Sequence, residues 1–217
     1  MASDGKTKRP RARQARAVET REAILKAATR IFAKHGFSGG RVEQISQLAK
    51  THDRMIYYYF GSKERLFIEV LETTYQRLND AEAALKIDLA DPLASLRTVV
   101  RFNWQYFLEH PEFITLLNSE NLHQGRHVKK STKVAQLSSP AVNVLAKILK
   151  AGTQQGLFRK DVSARELYLT IAALGYFYLS NRYTLSAFLN TELLKKSAVK
   201  QWQASMVDTV TRKVLVK

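Results

Sequence analysis

Between Asp53 and Glu64 the chain reads DRMIYYYFGSKE, which gathers a guanidinium (Arg54), three phenols (Tyr57, Tyr58, Tyr59) and an ammonium (Lys63). Such groups bind polyanions: a guanidinium grips a guanine edge or a phosphate, and phenols and ammonium groups donate to phosphate oxygens. On a helix each residue turns about 100° from the last, so three consecutive tyrosines cannot share a face. Ile56 and Phe60, four apart, can share one and form the apolar pair. Some of the tyrosines must therefore look outward. Ser62-Lys63-Glu64 then opens a following helix, whose free N–H groups and positive dipole end suit a phosphate oxygen.

A second group could hold a small molecule. Phe102, Trp104, Tyr106, Phe107 and Phe113 lie close together, followed by Asn118, Glu120, Asn121 and His123. Small-molecule sites are mostly apolar with a few orienting polar groups. The candidate effector-binding set is Asn103, Trp104, Phe107, Phe113, Asn118, Asn121 and His123, although an aromatic stripe at helical spacing is more often plain core. Arg101, Arg126 and Arg182 could neutralise an anionic effector. Glu120, His123 and His127 have helical metal-ligand spacing, but Gly125 interrupts the helix and no second cluster adds ligands, so no metal is expected. No nucleophile–base pair and no cofactor loop are present. Gly36-Phe37-Ser38-Gly39-Gly40 lacks the strand and Gly-Lys of a phosphate loop. The chain does not read as an enzyme, and no cofactor is expected.

The elements that must position these groups all read as helices. One begins at Thr20, with Ile24, Ala28, Ile31 and Phe32 on one face, and stops at Gly36, where Phe37 folds back. A second covers 41–50, with Val42, Ile45, Leu48 and Ala49 inward. A third, 54–60, is capped by Asp53 or Thr51, and a fourth runs from Ser62 to about Lys86. Two short helices around a tight turn make a helix-turn-helix layout. Further helices follow at 92–110, 111–120, 140–156, 163–182 and 192–214, with 121–139 unassigned, so the class is all-α. Residues 1–18 have no apolar periodicity and read as a disordered basic arm. The domains expected are that arm, a helix-turn-helix unit at 19–65 and a helical effector and dimerisation domain at 66–217.

Charge agrees with a nucleic-acid partner. The net charge is +16, and residues 1–65 hold 15 basic against 6 acidic side chains, while 66–217 hold 20 against 13. Positive density is concentrated where the helix-turn-helix lies. There is no cysteine, no signal-like apolar run and no span long enough for a bilayer, so a cytoplasmic protein without a membrane partner is expected.

The block from Thr20 to Leu71 resembles the N-terminal domain of the TetR family of bacterial transcription regulators, on the residues TREAILKAATRIFAKHGF, VEQISQLAK and IYYYFGSKERLF. The resemblance implies a homodimer, built through the 163–182 and 192–214 helices, that binds double-stranded DNA and answers to a small-molecule effector. It places the recognition helix at Asp53–Phe60, entered at His52. Arg54, Met55 and Tyr57 fall where base or thymine-methyl contacts are usual, and Tyr58, Tyr59 and Lys63 where phosphate contacts are usual. Arg41 and Glu43 match positions that also reach DNA. Lys50-Thr51-His52 stands where the family commonly has Gly-Val-Ser, and Met55 where it has Thr. The C-terminal part is weakly similar to regulators of pyrimidine and nicotinate catabolism. The expected function is a ligand-responsive regulator, a repressor released from a palindromic operator by a metabolite, in one form an anionic aromatic or heterocyclic compound. The alternative is a non-specific architectural DNA binder, which the charge alone permits.

Overall fold

A computed structural model of the chain describes residues 8–136 and 140–216, the side chains of 8–13 and 135 excepted. Those residues form eleven α-helices and one short 3-10 turn, with a single isolated β-bridge between Phe158 and Leu215. Two compact units divide the chain. The first comprises residues 1–74 and 115–135, the second 75–114 and 136–217.

In the first unit α1 (Lys8–Gly39) begins a full three turns before the Thr20 that periodicity predicts. The expected arm from Lys8 onward is thus helical; its residues 1–7 lie outside the described ones. The reason is intrinsic preference. Ala, Arg and Gln dominate 11–17, and Pro10 sits in the first turn, where it breaks no hydrogen bond. Gly36, at φ 67°, kinks the helix, and Phe37 beyond it packs 5.2 Å from the Phe67 ring. Gly40 lies flat on Phe32; a Cβ there would stand 2.6 Å from that ring.

Helix α2 (Val42–Leu48) is shorter than expected, and Leu48 is exposed rather than inward. A turn leads to α3 (Asp53–Phe60), and Ser62 caps α4 (Lys63–Ala83), its Oγ accepting from the Arg65 N–H at 3.1 Å. Ile24, Ala28, Phe32, Val42, Ile45, Ile56, Phe60, Leu66, Phe67 and Val70 close the core, joined by Leu116 from α6 (Pro111–Leu122). Beyond α6 the unassigned segment is organised by one buried carboxylate. Glu120 accepts from the backbone N–H groups of His127 and Val128 at 2.7 and 2.9 Å and meets His127 Nδ1 at 2.8 Å. The His127 ring packs on Phe37 and Phe67 at 4.4 and 4.9 Å. The 3-10 turn Val128–Lys130 and α7 (Thr132–Gln136) follow.

The second unit packs α5 (Pro92–Glu109), α8 (Pro140–Gln154), α9 (Ala164–Ser180) and α11 (Lys196–Val214), with α10 (Arg182–Phe188) short and peripheral. Asp91 caps α5, accepting from Ala94 N–H at 2.9 Å, with Pro92 in the first turn. Leu96, Val99, Trp104, Leu145, Ile148, Leu167, Ile171, Met206 and Val210 are buried. The predicted 163–182 helix breaks at Asn181, whose Nδ2 donates to the Phe177 carbonyl at 2.9 Å. The last helix starts at Lys196 rather than Glu192. Leu193 is held off the helix by the Tyr178 hydroxyl on its carbonyl (2.8 Å) and by its own N–H on Ser186 Oγ (3.2 Å).

Candidate nucleic-acid interface

The turn between α2 and α3 is closed by backbone bonds from Lys50 N–H to the Gln47 carbonyl (3.1 Å) and from Thr51 N–H to the Ser46 carbonyl (2.9 Å), the paired pattern of a Schellman motif. Lys50 takes the left-handed position at φ 52° that glycine fills most easily. His52 occupies the N-cap of α3 in extended conformation but makes no side-chain cap, so neither Thr51 nor Asp53 caps this helix. Asp53 instead accepts a hydrogen bond from the buried Ser46 hydroxyl and pins α3 to α2.

This anchoring decides which side chains of α3 are presented. Ile56 and Phe60 are buried, as their spacing requires. Tyr57 is 52% and Tyr58 77% exposed, while Tyr59 packs against the core with its ring edge-on to Tyr58 at 5.0 Å. Met55 also packs against that core. Arg54, His52, Arg41 and Glu43 are exposed. Among the described residues no carboxylate pairs with Arg41 or Arg54. Lys63 is half-buried, its ammonium 4.8 Å from the Phe37 ring centre. Burial pushes its pKa down, against a smaller upward pull from Glu43.

Sequence reasoning missed one wall of this surface. A cleft of about 590 Å³ is lined by Arg54, Met55, Tyr58 and Tyr59 on one side and by Arg16, Ala17 and Thr20 of α1 on the other. The signal was the helix-forming run at 11–17, which carries Arg16 and Ala17 on α1 beside α3.

The expected effector set divides. Asn103, Trp104, Phe107 and Phe113 belong to the second unit, where Phe107 stacks on Phe113 at 5.5 Å. Asn103 Oδ1 and Trp104 Nε1 are buried without a hydrogen-bond partner. Asn118, Asn121 and His123 belong to the first unit, where the His123 ring meets Phe37 edge-on. Among the described residues no three His, Cys, Asp or Glu side chains gather as a metal site, and no helix is long and apolar enough to cross a membrane.

A well-anchored short helix displaying arginine and tyrosine from a two-helix turn defines a helix-turn-helix DNA-binding protein. Residues 24–70 match the family model for "Bacterial regulatory proteins, tetR family", and 92–210 match "Tetracyclin repressor-like, C-terminal domain". The chain belongs to the TetR family of transcriptional regulators, whose members are DNA-binding proteins and not enzymes. It is 53% identical to the HTH-type transcriptional repressor NicS of Pseudomonas putida, over 95% of this chain and 97% of that one. It is 36% identical to the HTH-type transcriptional regulator RutR of Escherichia coli, over 51% of this chain and 52% of that one. Its fold is shared with the transcriptional regulator SCO4942 of Streptomyces coelicolor (TM-score 0.65, 22% identity, 90% of this chain and 98% of that one).

Proposed function

We propose that the protein is a cytoplasmic homodimeric repressor that binds a palindromic operator through α3 and lets go when a small metabolite occupies its second unit. The observation that carries the DNA half is the outward face of α3, where Arg54, Tyr57 and Tyr58 stand exposed on a helix fixed by Ile56, Phe60 and the Ser46–Asp53 bond. Arg54 reads a base edge, Tyr57 and Tyr58 meet the backbone or a thymine methyl, and the Ser62-capped start of α4 with Lys63 takes a phosphate. Arg41 and Glu43 border the same surface, and His52 stands at the entry of α3. Asp53 supports this set from behind, and Met55 and Tyr59 line the cleft beside Arg54 and Tyr58. Repression is inferred from the likeness to NicS.

Dimerisation through α9 and α11 is supported by an unpartnered stripe on α9. Leu169 and Phe177, each 58% exposed, share a face with exposed Ala173 at four-residue spacing. On α11 the exposed Gln201, Ser205 and Thr209 form an uncharged stripe. Two recognition helices about 34–36 Å apart would meet successive major grooves. The ligand acts through its differential affinity for the DNA-competent and released states. Effector recognition belongs to the second unit, where the unpartnered polar atoms of Asn103 and Trp104 offer hydrogen bonds that the fold does not use.

The test is selection from random duplex DNA by the full chain at physiological salt. An enriched palindrome with two similar half-sites is the expected result. Recovery of DNA without a shared motif would replace this reading with non-specific architectural binding.

A further inference from the structure

The groove between α5 and α11 gathers cations that the DNA-binding surface does not use. Arg97 and Arg101, one turn apart on α5, line a cavity of about 360 Å³ together with Lys200 of α11. Among the described residues no acid pairs with these three. Asp208, the carboxylate on the same cavity, is held by Nε of Arg212 at 2.8 and 2.9 Å. Like charges around one small cavity repel unless an anion joins them.

Thr211 lines the cavity but is only 8% exposed, and its hydroxyl is closed to solvent, so it walls the groove without offering a hydrogen bond. Gln203 adds an amide, while Ala204 and Val207 supply apolar surface.

We infer that this groove is a binding site for a small organic anion, a carboxylate on a compact apolar body. Arg97, Arg101 and Lys200 hold the carboxylate, Ala204 and Val207 cover the body, and Gln203 bonds a further polar atom. The volume suits a small ligand. Around the axis of α11 the groove side (Lys200, Ala204, Val207, Thr211) is turned roughly 130° from the Gln201, Ser205 and Thr209 stripe, so the two face different directions. The binding claim stands apart from the regulator reading; only its effect on DNA rests on that reading.

The experiment is calorimetric titration of the full chain with benzoate, with the neutral benzamide and with inorganic phosphate. Benzoate is expected to bind, with phosphate weaker and benzamide weaker still. Arg97→Ala and Arg101→Ala, surface changes whose folding is checked by circular dichroism, each weaken benzoate by about tenfold or more. Lys147→Ala, at an exposed cation of α8 that does not line the groove, leaves it unchanged. No binding of either anion at millimolar concentration overturns the site, as does benzoate binding that survives both arginine changes. Phosphate binding tighter than benzoate overturns the apolar half of the assignment. Operator affinity is read separately by anisotropy. Benzoate that binds through the arginines yet leaves DNA affinity unchanged keeps the site and overturns its part in release, whereas failure to select an operator without ligand concerns the regulator reading alone.

Discussion

Helices α3 and α5 both place aromatic residues on neighbouring positions, and the two sets end in opposite surroundings. On α3, Tyr57 and Tyr58 are more than half exposed, beside an arginine with no acid partner. On α5, Trp104, Tyr106 and Phe107 are buried, with Trp104 edge-on to Tyr178 at 5.4 Å and Phe107 against Phe113. Helix length and anchoring make the difference. Eight residues can bury only one stripe, and Ile56 and Phe60 take it, so the tyrosines are left to solvent and to a ligand. Eighteen residues packed by α8, α9 and α11 bury about half of the circumference. An aromatic cluster is therefore buried core in one unit and exposed surface in the other.

The sharpest way to break this comparison is truncation on both sides. Trp104→Ala should cost about 3–5 kcal/mol in urea unfolding, because a fully buried indole leaves a cavity. Tyr58→Ala should stay within about 0.5 kcal/mol of the parent in stability while weakening operator binding measurably. Equal stability losses would show that the tyrosine is core and the comparison false.

A pH titration probes the buried side alone. Burial, reinforced by the Glu112 charge and opposed by Arg77, pushes the Tyr106 phenol up to about 12. The folded state thus favours the neutral phenol, and the contribution is complete below the unfolded value near 10 and lost as pH rises through the folded one. Between pH 10 and 12 the chain should lose on the order of 2–3 kcal/mol through this group, and Tyr106→Phe should abolish that part of the alkaline decline. An unchanged alkaline profile in the Phe variant would remove Tyr106 as its cause.

On the exposed side, Arg54→Ala should forfeit about 1–3 kcal/mol of discrimination at one base pair per half-site. Lys63→Ala should weaken all sequences alike and lower the salt slope by about one. Identical behaviour of the two variants on operator and random DNA would mean that both residues touch only phosphate.

Much of this contrast was legible in the sequence because it follows from local rules. The spacing of Ile56 and Phe60, the capping Ser62, the stop at Gly36 and the Pro92 start each depend on a few neighbouring residues. What escaped depended on distant partners. The Asp53 carboxylate reads as a cap until Ser46, seven residues back, is seen to claim it. Met55 and Tyr59 read as DNA-facing, and only the assembled fold shows that they also pack on the core while lining the cleft beside Arg54. Glu120 and His127 have a metal-like spacing that Gly125 already argues against, but what they do instead depends on the chain between them, which leaves the helix and folds the carboxylate onto two backbone N–H groups. The helical start at Lys8 was masked by charge, since a basic run without apolar periodicity looks like an arm even when most of its residues favour a helix.

The smallest effect bears on how far the head trades conformational ease for surface charge. Lys50 stands in the left-handed region at φ 52°, fully on the outside of the α2–α3 turn, where a side chain costs roughly 1–2 kcal/mol relative to glycine. Lys50→Gly relieves that strain but gives the unfolded chain more freedom, which returns roughly 0.5–1 kcal/mol. The net expectation is a gain of about 0.5–1 kcal/mol in stability, read as a higher urea midpoint with the turn intact. If the lysine stays for its charge, the same variant binds operator more weakly, with a salt slope lower by about one. A variant that is both less stable and unchanged on DNA would show that the turn is set by something other than this backbone position.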